Sequence, residues 1–192
     1  MFKNDKKIIV VLEGPSGVGK DTIMKGLIDQ HKGEFAHVVS CTTREMRSYE
    51  SQGNPYFFVS SEEFDRLVKS GEIFEHTVRH DTKRGMNRRA FDDILESGKI
   101  PIKDCDAVGL KALKKLYGKK VFGVYIMAPK EDVERRLIAR GDSPEEVEKR
   151  LGNYEEHLKQ AVFYDVTVDN IDLNTAISDV YTAIMNRYDS LK

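Results

Sequence analysis

The sequence has little of three features that define other classes of protein. Its 192 residues contain two cysteines, Cys41 and Cys105, which are too few for a disulfide framework and are typical of a reducing compartment. No apolar run is long enough to cross a bilayer, and the N-terminal segment MFKNDKKIIVV is too polar for a secretory signal. The net charge of −1 gives no basic excess, so nucleic acid is not an expected partner. We therefore expect a cytoplasmic protein that does not bind membranes.

What the sequence does contain is an alternation of strand and helix patterns. Short apolar runs, such as KIIVVLEG (7–14) and KVFGVYIMA (120–128), have the composition of strands buried on both faces. Segments with apolar residues at helical spacing lie between such runs. This alternation predicts an α/β domain, with a parallel sheet flanked by helices. The length suffices for one such domain and a small inserted lobe.

The alternation is interrupted at about 36–86, where strand patterns dominate and predict the inserted lobe. HVVSC (37–41) is predicted as one strand, and SEEFDRLVKSG as a helix that Ser61 caps. The basic segment 79–89 is predicted as a solvated loop followed by the start of a helix. Further along the chain, SPEEVEKRLGNYEEHLKQA (143–161) is predicted as one helix.

A glycine-rich stretch, GPSGVGK, lies between the first predicted strand and the first predicted helix. Its Gly-x4-Gly-Lys spacing is that of a phosphate-binding loop. Glycines let backbone N–H groups approach phosphate oxygens, the helix N-terminus adds partial positive charge, and Lys20 can reach the outer phosphates. The predicted phosphate-binding residues are Gly14, Pro15, Ser16, Gly17, Val18, Gly19, Lys20, Asp21 and Thr22.

Asp21 is unusual, because loops of this kind mostly have Ser or Thr after the lysine to ligate Mg²⁺. A carboxylate can also ligate Mg²⁺, directly or through water. Alternatively, the charge of Asp21 only stabilises the N-terminus of the helix. The sequence leaves both interpretations open, and Thr22 offers a hydroxyl one residue later.

The segment SCTTREMRSYESQGNPYFFVSSEEF (40–64) resembles the acceptor-binding segment of guanylate kinases. The segments GEIFEH, KDCDAVG and ERRLIARG…EKRL also resemble parts of that family, so the resemblance covers nearly the whole chain. It implies a phosphate-loop core at about 1–35 and 99–192, an acceptor-binding lobe at about 36–98 and a mobile lid at about 138–152. It also implies that ATP, with Mg²⁺, phosphorylates GMP or dGMP, and we expect a monomer or weak homodimer.

The resemblance assigns site residues whose chemistry suits such an acceptor. Arginines and a tyrosine hydroxyl can bind a phosphate dianion. A carboxylate can accept from guanine N1–H and N2–H, and a hydroxyl can donate to O6. The acceptor-binding residues implied are Ser40, Arg44, Arg47, Glu50, Tyr56, Glu75, Arg84 and Asp106. The catalytic residues implied are Lys20, Arg44, Arg136, Arg140 and Arg150. The candidate Mg²⁺ contacts are Asp21, for which both interpretations above stay open, and Asp104, which follows a predicted strand and suits a contact through water.

The chain departs from the pattern of the family at Arg84-Gly85-Met86, where Tyr-Gly-Thr or Tyr-Gly-Ser is usual. Arg84 can bind the acceptor phosphate as that tyrosine would, but Met86 cannot donate to guanine O6, a loss of about 1–3 kcal/mol. Three alternatives to a guanylate kinase therefore stay open. They are a kinase for a modified or deoxynucleoside monophosphate, a ribose 1,5-bisphosphate phosphokinase (whose Gly-Lys-Asp-Ser loop resembles this one) and an inactive guanylate-kinase-like binding module. Lys20, Arg140 and Arg150 argue against the inactive module.

Overall fold

The computed structural model describes residues 8–79 and 81–191, which form two sheets with helices packed on them. The ends of the predicted core (1–7 and 192) and His80, in the predicted basic loop, lie outside the described residues. The strands of the first sheet, in spatial order, are β2 (Phe35–His37), β7 (Ile100–Asp104), β1 (Ile9–Glu13), β8 (Val121–Met127) and β9 (Val166–Asp169). Every neighbouring pair in it is parallel, which confirms the predicted fold class.

Helices cover both faces of the first sheet because its strands are apolar on both faces. In β1, Val10 and Leu12 belong to one buried cluster, while Ile9 and Val11 belong to another on the opposite face. The helices of the chain are α1 (Lys20–Gln30), α2 (Ser61–Lys69), α3 (Arg88–Glu96), α4 (Ala107–Tyr117), α5 (Lys130–Arg140), α6 (Pro144–Gly152), α7 (Tyr154–Leu158) and α8 (Leu173–Ser190). None of these helices in the described part of the chain is long and apolar enough to span a bilayer.

The second sheet is inserted between β2 and β7. Its strands, in spatial order, are β4 (Phe57–Phe58), β3 (Cys41–Thr42), β6 (Thr82–Asn87) and β5 (Ile73–Arg79). Helix α2 packs on this sheet and shares a small buried cluster with it, formed by Cys41, Phe64, Leu67 and Ile73. The strand-rich part predicted from the sequence therefore has a sheet and a small core of its own.

Two predicted strand boundaries are wrong. HVVSC (37–41) is not one strand, because the chain leaves the first sheet after His37 and enters the second sheet at Cys41. Within the basic segment predicted as a loop, residues 82–87 form β6, which pairs with β3 on one side and β5 on the other. The composition of β6 does not indicate a strand, since TKRGMN has only one β-branched residue. The strand is stabilised by pairing on both edges.

Two predicted helix features are also corrected. Ser60, rather than Ser61, caps α2, and its Oγ accepts a hydrogen bond from the Glu63 N–H at 3.1 Å. The predicted helix at 143–161 is broken at Asn153, whose φ of −100° and ψ of 6° separate α6 from α7. A 3₁₀ segment, Lys159–Phe163, follows α7. After this break, α7 contacts the carboxyl end of β8, since the Tyr154 hydroxyl donates to the Ala128 carbonyl oxygen and the Tyr125 hydroxyl donates to the His157 carbonyl oxygen.

Candidate active site

The phosphate-binding loop predicted from GPSGVGK connects β1 to α1, so it lies at the carboxyl edge of the first sheet. Two of its glycines are required by close approach. A Cβ at Gly14 would lie 2.3 Å from the carbonyl oxygen of Ile126, and a Cβ at Gly19 would lie 2.5 Å from Asn170 Nδ2. Gly19 also has a φ of 94°, in the left-handed region that favours glycine. The loop therefore has a fixed, tight path.

The first turn of α1 points its backbone donors at this loop. Among the described residues no side chain caps α1, so its N-terminal N–H groups are available to an anion. Lys20 Nζ lies 3.5 Å from the Gly14 carbonyl oxygen, across the loop. Asp21 and Thr22 are exposed on the same turn. The arrangement can hold the phosphates of a nucleotide.

Two residues far along the chain hold the loop in place. The Val18 carbonyl oxygen accepts from Asn170 Nδ2 at 2.6 Å and from Arg136 Nη1 at 3.0 Å. Arg136 Nη2 also donates to the Asn170 carbonyl oxygen at 2.7 Å. Asn170 is only 2% exposed, so this network is buried beneath the loop. Asn170 was not predicted as a site residue, although a polar residue directly after an apolar strand pattern is a usable signal.

The segment from α5 to α6 reaches the loop through a second network, around Asp142. This carboxylate accepts from Arg140 Nε at 3.0 Å and lies 3.2 Å from Arg150 Nε. Arg150 Nη1 in turn donates to Ser16 Oγ in the loop at 2.6 Å. The hydrogen bond from Arg140 lowers the pKa of Asp142. The structure thus brings two of the predicted arginines together beside the loop, through an aspartate that the sequence did not single out.

The second sheet carries a separate cationic cluster, which involves Arg44, Glu50, Tyr56 and Arg84. Glu50 Oε1 accepts from Arg44 Nη2 at 2.7 Å, and Glu50 Oε2 accepts from the Arg47 N–H at 2.8 Å. The guanidinium carbons of Arg44 and Arg84 lie 5.9 Å and 4.8 Å from the centre of the Tyr56 ring. Two cations and a phenol are therefore gathered at one place.

Arg47 behaves differently from the other predicted arginine of its loop. Its Nη1 donates to the hydroxyl of Tyr49 at 2.6 Å, and Tyr49 is 75% exposed. The guanidinium of Arg47 therefore lies at the exposed surface, whereas its backbone N–H donates to Glu50.

The residues predicted for a base edge lie where the two sheets meet. Asp106 caps α4, since its Oδ1 accepts from the Gly109 N–H at 3.0 Å. Helix α4 contacts β5, the strand that carries Glu75. Burial and the charge of Asp106 raise the pKa of Glu75. Ser40 lies in the segment that crosses between the sheets, and its carbonyl oxygen accepts from the Phe57 N–H at 3.0 Å.

Met86 is a packing residue of this same region. It is 3% exposed and belongs to the buried cluster that contains Ile9 and Val11. Its Cε would lie 3.1 Å from a Cβ at Gly109, so it packs on the first turn of α4. Met86, at which the chain departs from the family's pattern, therefore contributes to the contact between the second sheet and the core.

The carboxylates Glu13, Asp104 and Asp106 lie at or just beyond the carboxyl ends of β1 and β7. Asp104 is the register partner of Leu12, and Glu13 follows Leu12 in β1. Burial tends to raise the pKa of Asp104, but nearby His37 and Lys103 outweigh it and hold that pKa well below its usual value. Glu13 is the opposite case. Burial raises its pKa, the charges of Asp106 and Asp104 add to this, and Lys20 opposes it. Glu13 was not predicted as a site residue.

The donor atoms present fit a Mg²⁺ ion that enters together with a nucleotide. Within residues 8–79 and 81–191, no group of three or more His, Cys, Asp and Glu side chains could hold a metal by itself. A nucleotide-bound Mg²⁺ needs only one or two carboxylates besides phosphate and water. Asp104, which stays ionised, and the exposed Asp21 are carboxylates of that kind.

Comparisons with known proteins agree with this geometry. The family model described as guanylate kinase matches residues 6–187. The guanylate kinase of Symbiobacterium thermophilum is 35% identical over 187 residues, which cover 96% of this chain and 88% of that protein. The guanylate kinase of Campylobacter jejuni strain RM1221 is 34% identical over 167 residues, which cover 86% and 82%.

A solved structure gives the same result at the level of the fold. The crystal structure of guanylate kinase from Anaplasma phagocytophilum superposes with a TM-score of 0.69 at 25% identity. The superposition covers 95% of this chain and 86% of that one. Since the family model spans most of the sequence and the phosphate loop and second sheet have the arrangement described above, the chain belongs to the guanylate kinase family.

Proposed function

We propose that this protein transfers the γ-phosphoryl group of ATP to GMP or dGMP, which gives ADP and GDP or dGDP. The observation that carries the proposal is the presence of two separate phosphate-binding arrangements. One is the loop after β1 with Lys20, and the other is the pair Arg44 and Arg84 over Tyr56 on the second sheet. A phosphoryl transfer between two nucleotides needs one such arrangement for each nucleotide. We place the reaction in the cytoplasm, in a monomer or weak homodimer.

On the donor side, the loop and the first turn of α1 hold the phosphates of ATP. Lys20 binds the outer phosphates. Arg140 and Arg150 place their positive charges beside the negative charge that develops on the transferring phosphoryl group. Arg136 contributes positive charge from beneath the loop, where its Nη1 donates to the Val18 carbonyl oxygen. Mg²⁺, held by the phosphates with Asp21 or Asp104, supplies further positive charge when it is bound.

On the acceptor side, Arg44, Arg47, Tyr56 and Arg84 bind the phosphate of GMP. Glu50 holds Arg44 in position for this through its 2.7 Å hydrogen bond. The acceptor phosphate itself is the nucleophile, so no nucleophilic side chain is needed.

The guanine edge lies against residues where the two sheets meet. Glu75 and Asp106 accept from its N–H groups, and Ser40 donates to O6. Closure of the acceptor-binding lobe (about 36–98) and of the lid (about 138–152) around both nucleotides excludes water that would hydrolyse ATP.

An ADP-release assay with ATP and Mg²⁺ tests the proposal. The acceptors are GMP, dGMP, AMP, dAMP, CMP, UMP, dTMP and ribose 1,5-bisphosphate, and we expect turnover with GMP and dGMP alone. Turnover confined to another acceptor would assign the protein to a different kinase activity. Binding of GMP without turnover of any acceptor would identify an inactive binding module.

The same assay on a matched pair of variants tests the role of the loop. Lys20→Ala is expected to lower kcat/KM by about 100- to 1,000-fold, because it removes a charge aimed at the transferring phosphates. Lys25→Ala removes an exposed lysine from the same helix and should leave kcat/KM unchanged. Similar activity in the two variants would refute the assigned role of Lys20.

A further inference from the structure

Lys103 is a buried lysine whose role the phosphate-binding arrangements do not explain. It lies in β7 and is 8% exposed. Successive side chains of a strand alternate between faces, and Ile100 and Ile102 pack in the cluster on one face. Lys103 therefore points to the opposite face, where the cluster with Ile9 and Val11 lies.

The ammonium group of Lys103 has hydrogen-bonding capacity to spare. Among the described residues, its hydrogen-bond partner is Asp104, with Nζ 3.1 Å from Oδ1. An ammonium has three donors, so one contact leaves two for other groups. Burying such a group is costly unless it is paired and hydrogen-bonded, and an apolar side chain would avoid that cost. Lys103 is therefore suited to bind a polar group of a ligand, which would accept from the remaining donors of its ammonium.

Packing places Lys103 next to the predicted base-binding carboxylates. Directly beyond β7, Cys105 packs against Gly109 of α4, and Met86 packs against the same glycine. Met86 is the register partner of Glu75 in the pairing of β6 with β5. The positive charge of Lys103 is close enough to lower the pKa of Glu75, against the opposing effects of burial and Asp106. Lys103 therefore lies on the face of the first sheet that packs against Met86 and α4, and α4 also contacts β5, the strand of Glu75.

We propose that Lys103 is a specificity-determining residue, whose ammonium donates a hydrogen bond to the carbonyl oxygen O6 of the acceptor purine. This inference rests on the proposed function. O6 is bonded to C6, the ring atom next to N1. A donor beside Glu75 can therefore reach O6 while Glu75 accepts from N1–H. A hydrogen bond from a charged donor is stronger than one from a hydroxyl, and it replaces the donor that Met86 does not provide.

The same ammonium would exclude adenine. Adenine carries an amino group at C6, so two donors would face each other and the free donors of the ammonium would find no acceptor on the base. Lys103 therefore selects 6-oxopurines and rejects 6-aminopurines.

The test compares GMP with 6-thio-GMP in wild type and Lys103→Met. The thio analogue keeps N1–H and the 2-amino group, but its sulfur is a weak acceptor. Methionine keeps an unbranched stem of similar volume. The loss of a charged hydrogen bond should lower kcat/KM for GMP by about 10- to 100-fold, and kcat/KM for 6-thio-GMP by less than about threefold. Lys111→Met, which changes an exposed lysine on α4, should leave both values unchanged.

Each other outcome has a defined meaning. Equal losses on the two substrates would assign Lys103 a purely structural role and overturn the inference, as would unchanged activity on GMP. If Lys103→Met does not fold, Lys103→Gln keeps a neutral donor and should show a smaller loss that is again confined to GMP. A wild-type protein that phosphorylates no GMP would overturn the proposed function, and the inference with it.

Discussion

The phosphate loop and the acceptor-side cluster are both charged sites, but they are held in opposite ways. The loop is fixed by Asn170 and Arg136, which lie 152 and 118 residues from Val18 in sequence and contact it at buried or half-buried positions. In the acceptor-side cluster, Glu50 bonds residues only three and six positions away, within one surface loop. The position of the phosphate loop is thus set by residues distant in sequence, and that of Arg44 by a local loop. Variants on the two sides should therefore differ in whether they change stability or binding.

The largest effect is expected from Asn170→Ala, on the donor side. It removes a buried hydrogen bond to Val18, so the free energy of unfolding should fall by about 1–3 kcal/mol. The loosened loop should also raise the KM for ATP. Urea denaturation and steady-state kinetics measure the two effects. Asn174→Ala, at an exposed position early in α8, serves as the control. Unchanged stability in Asn170→Ala would mean that the fold does not fix the loop through this residue.

An intermediate effect is expected from Glu50→Gln, on the acceptor side. Glutamine is a weaker acceptor and holds Arg44 less firmly, so the KM for GMP should rise by about tenfold while the stability falls by less than in Asn170→Ala. Glu45→Gln makes the same change of charge on an exposed neighbour and should alter neither value. A fall in stability as large as that of Asn170→Ala would remove the distinction between the two sides.

The smallest effect is expected from Glu13→Gln, which tests whether a charge on the donor side changes the free energy of unfolding. Burial raises the pKa of Glu13, so the folded protein binds this proton more tightly than the unfolded chain does. Ionisation of Glu13 therefore costs stability, and this cost appears as the pH rises above 4.5, the ordinary pKa of a glutamate. Glu13→Gln should raise the free energy of unfolding near neutral pH, and the difference should vanish below about pH 4.

Urea titrations at several pH values would measure this difference. Lower stability of Glu13→Gln at neutral pH would contradict the expectation. It would mean that attraction to Lys20 outweighs burial, and that the donor side depends on ion pairs as the acceptor side does.

The sequence predicted what depends on short stretches of chain. The loop GPSGVGK is recognisable because its glycines, lysine and flanking elements lie within about twenty residues, as the motif requires. The segment 40–64 carries most of the acceptor-side residues for the same reason. The parallel sheet follows from its apolar strands, whose composition reflects burial on both faces.

What depends on contacts between distant residues was not predicted. Asp142 has ordinary local surroundings, and the position of Asn170 after a strand pattern does not reveal its partner, so only the fold shows that both contribute to holding the loop. Strand β6 lacks a strand-like composition, and the pairing on both edges that stabilises it involves strands that are separate in sequence. The sequence indicates only that Met86 lacks the usual hydroxyl. In the structure its side chain fills space between the second sheet and α4.

The insertion of the second sheet into the first has a consequence for how such a protein changes over evolutionary time. The chain leaves the first sheet after β2 and returns to it through α3, which packs beside β7, and the inserted part has its own buried cluster. Substitutions within 41–87 can therefore accumulate without altering the residues that hold the phosphate loop. A lineage, or a combinatorial library confined to those positions, can explore new acceptors while it inherits an intact machinery for the use of ATP.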